Sequence, residues 1–127
     1  MAIIKSAQHP CSIEIPDEIP ACKQLIYGLV DPRNDQIYYV GRVRRDLVAQ
    51  RMRGHCGNVY DFDIIRPAGI YWPKSFRLNE RKVLIFNAGL VTRMTILALC
   101  DTDEEAIAAE KAIIKQHIKT VLNTQGK

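Results

Sequence analysis

Several features that would assign a chain to a particular class are absent from this sequence. Its apolar runs all fall short of the roughly 18 residues of a membrane-spanning helix, and the apolar stretch at the N-terminus is too short for a signal peptide. No internal repeat, long linker or low-complexity tract interrupts the 127 residues. These absences predict a single-domain cytoplasmic protein with no membrane partner.

Closely paired cysteines are also lacking. The four cysteines are widely separated along the chain: Cys11, Cys22, Cys56 and Cys100. Structural zinc sites and redox motifs use CxxC pairs, and none occurs here. His9 near Cys11 and His55 beside Cys56 leave a metal site open as an alternative, but we favour free buried thiols.

The composition that remains is that of an ordinary globular protein, with 47% hydrophobic and 25% charged residues. Lys and Arg outnumber Asp and Glu by 18 to 14, which gives a net charge of +4. Five arginines lie within a dozen residues of one another: Arg42, Arg44, Arg45, Arg51 and Arg53. This basic character favours an anionic partner such as nucleic acid.

A β-hairpin is predicted early in the chain. Residues 1–24 contain three prolines and predict an irregular or partly stranded N-terminal arm. Residues 25–30 and 37–43 are rich in β-branched and aromatic side chains, and the "DPRND" between them has turn chemistry. Strand alternation places Tyr27 and Tyr39 on faces that meet across the hairpin, with Ile37 beside Tyr39 and Tyr38 pointing the other way.

Helices and a further strand are predicted after the hairpin. Asp46 can cap a helix from about residue 47 to 53 that ends at Gly54, and Arg51 and His55 would stack one turn apart on it. Residues 57–73 read as a loop, and residues 77–88 as an amphipathic helix ended by Gly89. The apolar run "RMTILAL" at 93–99 predicts a buried strand.

The last predicted helix contains an unusual acidic residue. "TDEE" at 102–105 fits a capping box, with Thr102 as the N-cap. Four apolar residues beyond it predict the buried stripe of the helix: Ile107, Ile114, Ile118 and Val121. Glu110 lies within this stripe, and an inward carboxylate must be paired, hydrogen-bonded or bound to a metal. The lysines at 111, 115 and 119 form another face, which is either solvated or in contact with phosphates.

Together, these residues resemble the GIY-YIG nuclease family, which is named for two strand motifs. The first appears here as "LIY" at 25–27, with Leu25 in place of the first glycine, and the second as "YVG" at 39–41. An Arg and a His one turn apart, an inward Glu on a later helix and an Asn near the C-terminus follow in the family's order. The resemblance covers about residues 25 to 123 and implies an α+β fold, a small central antiparallel β-sheet flanked by helices, over residues 25–127.

The resemblance also implies a role for each matching residue. Six residues are implied to be catalytic. Tyr27 would hold the attacking water, Tyr39 would hold the scissile phosphate and Arg51 would stabilise its charge. His55 would assist the base, Glu110 would hold Mg²⁺ or Mn²⁺, and Asn123 would support the site. Gly41 permits close approach of the substrate. The implied nucleic-acid contacts are Gly41, Arg42, Arg44, Arg45, Lys111 and Lys115.

The function implied by the resemblance is a metal-dependent endonuclease that acts on DNA, with RNA not excluded and a homodimer left open. Two alternatives remain: a non-catalytic nucleic-acid-binding or inhibitory module of the same fold, and a basic domain that binds another protein. Each site residue also has a structural interpretation. The tyrosines could simply pack across the strands, Arg51 could be solvated, His55 could favour the helix dipole, Glu110 could be in an ion pair and Asn123 could cap a helix.

Overall fold

The computed structural model describes residues 2–5, 12–57 and 76–122. Within these ranges, five strands and three α-helices follow one another in the order β1 (Ala2–Lys5), β2 (Ser12–Ile15), β3 (Gln24–Asp31), β4 (Gln36–Arg44), α1 (Val48–Gly57), α2 (Phe76–Asn87), β5 (Thr92–Cys100) and α3 (Asp103–Gln116). A short 3₁₀ turn, Arg45–Leu47, joins β4 to α1. The strands form one sheet in the order β1-β2-β5-β3-β4, so the α+β class with flanking helices is confirmed.

The sheet is antiparallel except at one place. β1 pairs with β2, β5 with β3, and β3 with β4 in antiparallel fashion, whereas β2 and β5 run parallel. The three strands of residues 25–127 are antiparallel, as predicted, and the parallel pair is added by β2 from the predicted N-terminal arm. The strands β2 and β3 follow one another in the chain but are not neighbours in the sheet. The later strand β5 lies between them, parallel to β2 and antiparallel to β3. The described parts of the predicted N-terminal arm, β1 and β2, belong to this same sheet.

The β3/β4 hairpin forms where it was predicted, but it contains a bulge. Register pairs Leu29 with Tyr39 and Val30 with Ile37, so Tyr38 is the extra residue. Tyr38 and Tyr39 consequently both pack with the cluster around Leu29, while Ile37 packs on the opposite face. The predictions that Tyr38 points away from Tyr39 and that Ile37 shares its face are wrong, because the bulge interrupts strict alternation.

The first helix runs one turn further than its sequence predicts. Asp46 lies in the 3₁₀ turn and forms no side-chain cap, and α1 continues through Gly54 to Gly57. Gly54 has no positive φ, so it behaves as an ordinary helical residue at a cost of about 1 kcal/mol relative to Ala. The extra turn keeps His55 inside the helix.

The α2 helix begins and ends near its predicted residues, and α3 begins where it was predicted. The α2 helix ends before Gly89, whose φ is 76° and whose N–H donates to the Phe86 carbonyl, as the sequence predicts. The side chain of Thr102 accepts from the Glu105 N–H at the start of α3, which confirms the capping box. No helix of the described ranges is long and apolar enough to cross a membrane.

Each face of the sheet buries its own apolar cluster. The larger cluster contains Tyr27 and Leu29 of β3, Met52 of α1 and Ile85 of α2. On the other face, Ile26 and Val40 pack beneath Ala106, Ala109, Ile113 and Ile114 of α3. The predicted α3 stripe is wrong in part, because Ile107 is 40% exposed and Ile118 is 54% exposed. Helix α3 ends at Gln116, so residues 118 and 121 do not continue its spacing.

Candidate functional site

The two motif tyrosines lie together on the face of the sheet that α1 covers. Tyr27 is paired with Gly41 across the β3/β4 ladder, and Tyr39 with Leu29, so the tyrosines are diagonal neighbours and not direct partners. Their ring centroids are 6.1 Å apart. Tyr27 is fully buried and Tyr39 is partly exposed. Only Tyr39 is therefore open to solvent.

Gly41 makes room for this arrangement. A Cβ atom at this position would lie 2.5 Å from the Tyr27 hydroxyl oxygen and 2.6 Å from Cζ. The Tyr27 ring thus lies flat across the Gly41 backbone, an approach that no other residue type permits without displacement. The glycine implied by the motif has a structural cause here, because it determines where the Tyr27 hydroxyl lies.

His55 of α1 completes an aromatic cluster with the tyrosines. Its Nε2 lies 2.6 Å from the Tyr27 hydroxyl oxygen, and its ring meets Tyr39 edge-on at 4.9 Å between centroids. The His55 side chain is 5% exposed. The predicted proximity of His55 and both tyrosines is thus present in the structure.

Lys82 of α2 contacts the other side of the imidazole. Its ammonium nitrogen donates to the His55 carbonyl oxygen at 2.8 Å and lies 3.2 Å from His55 Nδ1. Lys82 is 2% exposed. Sequence reasoning missed this residue. The available signal was its position between Leu78 and Ile85, four and three residues away, which places a lysine on the buried stripe of α2.

Arg51 lies one helical turn before His55 and is exposed. Its positive charge lowers the pKa of Tyr27 and of Tyr39. The structure therefore brings Arg51 into electrostatic contact with both tyrosines, as the helical spacing predicts.

Burial is the largest influence on the pKa values of Tyr27, Tyr39 and His55. It raises the pKa of Tyr27 well above its ordinary value, and neighbouring Tyr39 adds to this effect while Arg51 opposes it. Burial likewise raises the pKa of Tyr39. It lowers the pKa of His55 well below its ordinary value, and the charges of Lys82 and Arg51 lower it further. Both tyrosines and the histidine are consequently neutral at pH 7.

Glu110 belongs to α3, which packs on the opposite face of the sheet from the tyrosine cluster. It lies on α3, partly buried, and its carboxylate raises the pKa of Tyr39, so the two are within electrostatic reach. Among the described residues, Glu110 takes part in no ion pair. Those residues also contain no group of three His, Cys, Asp or Glu side chains that could hold a metal. Glu110 is thus a single carboxylate at the edge of the site.

A basic groove runs alongside β4. Its volume is about 460 Å³, and Arg42, Arg51 and Ile107 are among its lining residues. Arg44 also lines this groove, and its Nε lies 3.5 Å from exposed Asp46. Arg51 is the residue that connects the groove with the tyrosine cluster, since it lines the groove and its charge acts on both tyrosines.

The other predicted nucleic-acid contacts are less concentrated. Arg45 donates to the carbonyls of Ile19 and Pro20, so its guanidinium ties the 3₁₀ turn to the segment before β3. Lys111 and Lys115 are exposed on α3. The structure thus assigns a structural contact to Arg45 and leaves both lysines on the solvent face of α3.

Several predicted residues fall outside the description or away from the site. Asn123, His9 and Cys11 lie outside the described residues, as does most of the predicted loop at 57–73. The Cys56 side chain is not described either. Cys22 and Cys100 are free thiols. The described cysteines therefore add nothing to the cluster.

A second buried polar contact lies on the same face of the sheet. The Tyr38 hydroxyl is 2.8 Å from Thr92 Oγ1, and the guanidinium of Arg81 lies over the Tyr38 ring at 5.6 Å. These contacts join β4 to β5 and α2. Sequence reasoning missed them because the bulge that turns Tyr38 inward has no sequence signal in this hairpin.

Comparison of the chain with protein-family models, with curated proteins and with solved structures finds no match.

Proposed function

We propose that this chain is a metal-dependent endonuclease of the GIY-YIG type that hydrolyses DNA phosphodiester bonds at one site. The observation that carries the proposal is the cluster itself: Tyr27, Tyr39 and His55 lie in mutual ring contact, with the charge of Arg51 acting on both tyrosines. Gly41 makes room for this cluster, and four separately predicted residues meet in it.

Phosphodiester hydrolysis needs a held water, a group that takes its proton and positive charge near the phosphate. The partly exposed Tyr39 hydroxyl can contact substrate, and Tyr27 lies directly behind it. Arg51 can donate two parallel hydrogen bonds to phosphate oxygens. The exposure of Arg51 toward the groove favours this role.

A tyrosine with a raised pKa is a weak base at neutral pH, so the proposal requires a source of positive charge on substrate binding. Arg51 already lowers the pKa of both tyrosines. A divalent cation near Tyr39 would add to this effect. The buried cluster would then be neutral at rest and would ionise only in the substrate complex.

Glu110 is the residue that would hold Mg²⁺ or Mn²⁺. Magnesium in proteins keeps several waters and takes one or two carboxylates together with substrate phosphates, so a single carboxylate within electrostatic reach of Tyr39 fits it. When bound, the ion supplies Lewis-acid stabilisation of the departing oxygen. The expected products carry 5′-phosphate and 3′-hydroxyl ends.

The substrate would lie in the groove beside β4. Arg42 and Arg44 can contact phosphates there without reading sequence. A single cleavage centre predicts nicking of one strand, and a cut through both strands would need a homodimer or two successive events. RNA is an alternative substrate with the same phosphate chemistry.

Nicking of a supercoiled plasmid tests the proposal. We expect nicked circles in Mg²⁺ or Mn²⁺ and none in excess EDTA. Arg51→Gln should slow nicking about 10² or more, the scale of one lost transition-state contact. Arg53→Gln is the matched control, because it removes the same charge from an exposed position on the same helix and should change the rate little.

Plasmid binding by a well-folded protein that never nicks would instead support the non-catalytic nucleic-acid-binding module. Nicking that persists undiminished in EDTA would remove the metal from the proposal. Equal rates for the two arginine variants would remove Arg51 from the active site.

A further inference from the structure

We propose that Lys82 is a positioning residue that fixes the His55 imidazole as its Nε2–H tautomer, so that His55 donates a hydrogen bond to Tyr27 and does not accept the tyrosine proton. The catalytic consequence rests on the proposed nuclease function. The tautomer itself does not, because it follows from three contacts between buried groups.

The three contacts form a continuous chain. Lys82 Nζ lies 2.8 Å from the His55 carbonyl oxygen and 3.2 Å from His55 Nδ1, and His55 Nε2 lies 2.6 Å from the Tyr27 hydroxyl oxygen. The side chains of Lys82, His55 and Tyr27 are 2%, 5% and 0% exposed. Bulk water therefore has little access to either nitrogen of the imidazole.

Donor and acceptor rules determine the direction of the chain. An ammonium group has three donors and no acceptor, and a neutral imidazole has one of each. A protonated Lys82 can only donate to Nδ1, so that nitrogen uses its lone pair and the imidazole proton lies on Nε2. A proton on Nδ1 would place two N–H groups against each other at 3.2 Å.

The charges around His55 keep it from gaining a second proton. Lys82 on one side and Arg51 on the same helix both lower the pKa of His55, in addition to the effect of burial. An incoming proton would have to bind Nδ1, which faces the Lys82 ammonium group. His55 is thus a hydrogen-bond donor to Tyr27 and is poorly placed to act as its base.

The Tyr27 oxygen accepts the hydrogen bond from His55 at 2.6 Å. The charge of Arg51 acts on the same side chain and lowers the pKa of Tyr27. Negative charge that develops on the Tyr27 oxygen would therefore meet a donor and a positive charge that are already in place.

Nitrogen-15 NMR of histidine-labelled protein at neutral pH measures this tautomer directly. The chain has three histidines, and the His55 signals are assigned by their loss in His55→Gln. We expect a protonated Nε2 and an unprotonated Nδ1 in the wild type. The opposite pattern in the wild type would overturn the inference, whether or not any Lys82 variant folds.

Lys82→Met then tests the cause, because Met has a similar length and helix propensity but cannot donate. The Nδ1–H fraction should rise severalfold, and nicking should slow by about tenfold to a hundredfold, the scale of losing a partner that orients a functional histidine. Ile85→Val is the matched control. It alters a residue 1% exposed on the same helix, lowers stability, and should leave the tautomer and the relative nicking rate unchanged.

A folded Lys82→Met protein with the wild-type tautomer would show that Lys82 does not set it. Absence of nicking by the wild type would reject the proposed nuclease function and leave the NMR result standing. An Nδ1–H wild type that nicks normally would reject the positioning role and leave the nuclease function standing.

Discussion

Gly41 lies directly opposite Tyr27 in the β3/β4 ladder, and a Cβ atom on Gly41 would meet the Tyr27 hydroxyl oxygen at 2.5 Å. The ring of Tyr27 cannot retreat easily, because its hydroxyl is bonded to His55 and its other face lies in the core. The lack of a side chain at Gly41 therefore determines the position of Tyr27.

We expect Gly41→Ala to destabilise the fold by about 1–3 kcal/mol, the usual cost of overpacking a close-packed site. It should also weaken the Tyr27–His55 hydrogen bond, since the clash is with the hydroxyl end of the ring. Urea denaturation measures the first effect, and the His55 nitrogen-15 shifts report the second. Wild-type stability in this variant would show that the Tyr27 ring moves aside at no cost.

Gly54→Ala is its matched control. Gly54 is exposed within α1 and has no positive φ, and a Cβ atom at this position would have no neighbouring atom within 4 Å. Alanine is favoured over glycine in a helix interior by about 0.5–1 kcal/mol. The same substitution should therefore stabilise the protein at 54 and destabilise it at 41.

Stability should fall as pH drops below about 6.5, because of His55. Its pKa in the folded protein is well below that value, through burial and the charges of Lys82 and Arg51. Between the two pKa values the unfolded chain binds a proton that the folded chain does not, which favours unfolding. The loss should approach about 1.4 kcal/mol per pH unit and cease below the folded pKa.

The comparison with His55→Gln isolates this effect, since Gln does not titrate. The free energy of unfolding, measured between pH 7 and 5, should fall less steeply in His55→Gln than in the wild type. Asp31 does not interfere, because its pKa lies below 3.8 and its contribution is lost only in stronger acid. Equal slopes in the two proteins would mean that folded His55 takes up protons freely.

Asp31 at the end of β3 should be a major source of stability. Its side chain is fully buried, accepts from the Arg33 backbone N–H at 2.9 Å, and pairs with the guanidinium groups of Arg33 at 2.9 Å and Arg81 at 3.4 Å. Burial raises the pKa of Asp31, but these partners outweigh it and hold the pKa below its usual value. Asp31→Asn should cost about 1.5–3 kcal/mol, because it weakens charge-assisted hydrogen bonds to a buried carboxylate, while the two arginines keep some contact with solvent.

A surface pair with the same chemistry serves as the control. Asp35 lies 2.7 Å from Arg93, but the carboxylate is 79% exposed. Asp35→Asn should therefore change the free energy of unfolding by less than about 1 kcal/mol. Equal losses in the free energy of unfolding for Asp31→Asn and Asp35→Asn would show that the burial of Asp31 does not make its ion pairs more stabilising.

The hairpin turn and the N-cap of α3 could be predicted from the sequence because their signals are local. "DPRND" and "TDEE" specify a turn and a cap from a few adjacent residues, and both form as predicted. The bulge at Tyr38 has no such signal, since it depends on which residues β5 and α2 present to β4. Alternation alone consequently placed Tyr38 on the wrong face.

Of the inward-facing charged residues Glu110 and Lys82, only Glu110 was predicted from the spacing of apolar residues along its helix. Glu110 stood out between Ile107 and Ile114, although Ile107 is itself exposed. The true inward face of α3 includes Ala106 and Ala109, small residues that fit either environment. The burial of Lys82 is not predicted, because a lysine on an amphipathic helix is usually solvated. Its burial depends on His55, 27 residues earlier, and no local pattern carries that information.

Glu110→Gln should separate binding from chemistry. The amide keeps the size of the side chain but removes the charge that would hold the metal and that faces the substrate phosphate. Nicking should fall by about 10² or more. DNA affinity should stay level or rise, since the proposal places this negative charge beside the substrate phosphate. Glu104→Gln removes the same charge from an exposed position in the first turn of α3 and should leave nicking nearly unchanged.

Stability distinguishes this role from a structural one. Glu110 has no ion-pair partner within the described ranges, so the neutral amide should leave the melting temperature unchanged or slightly higher. A structural ion pair would instead leave a stranded cation, and activity would be lost only through unfolding. Melting temperature, DNA binding and nicking are best measured on one preparation. A well-folded Glu110→Gln protein that nicks at the wild-type rate would exclude Glu110 from the active site and, with it, the proposed way of holding a metal.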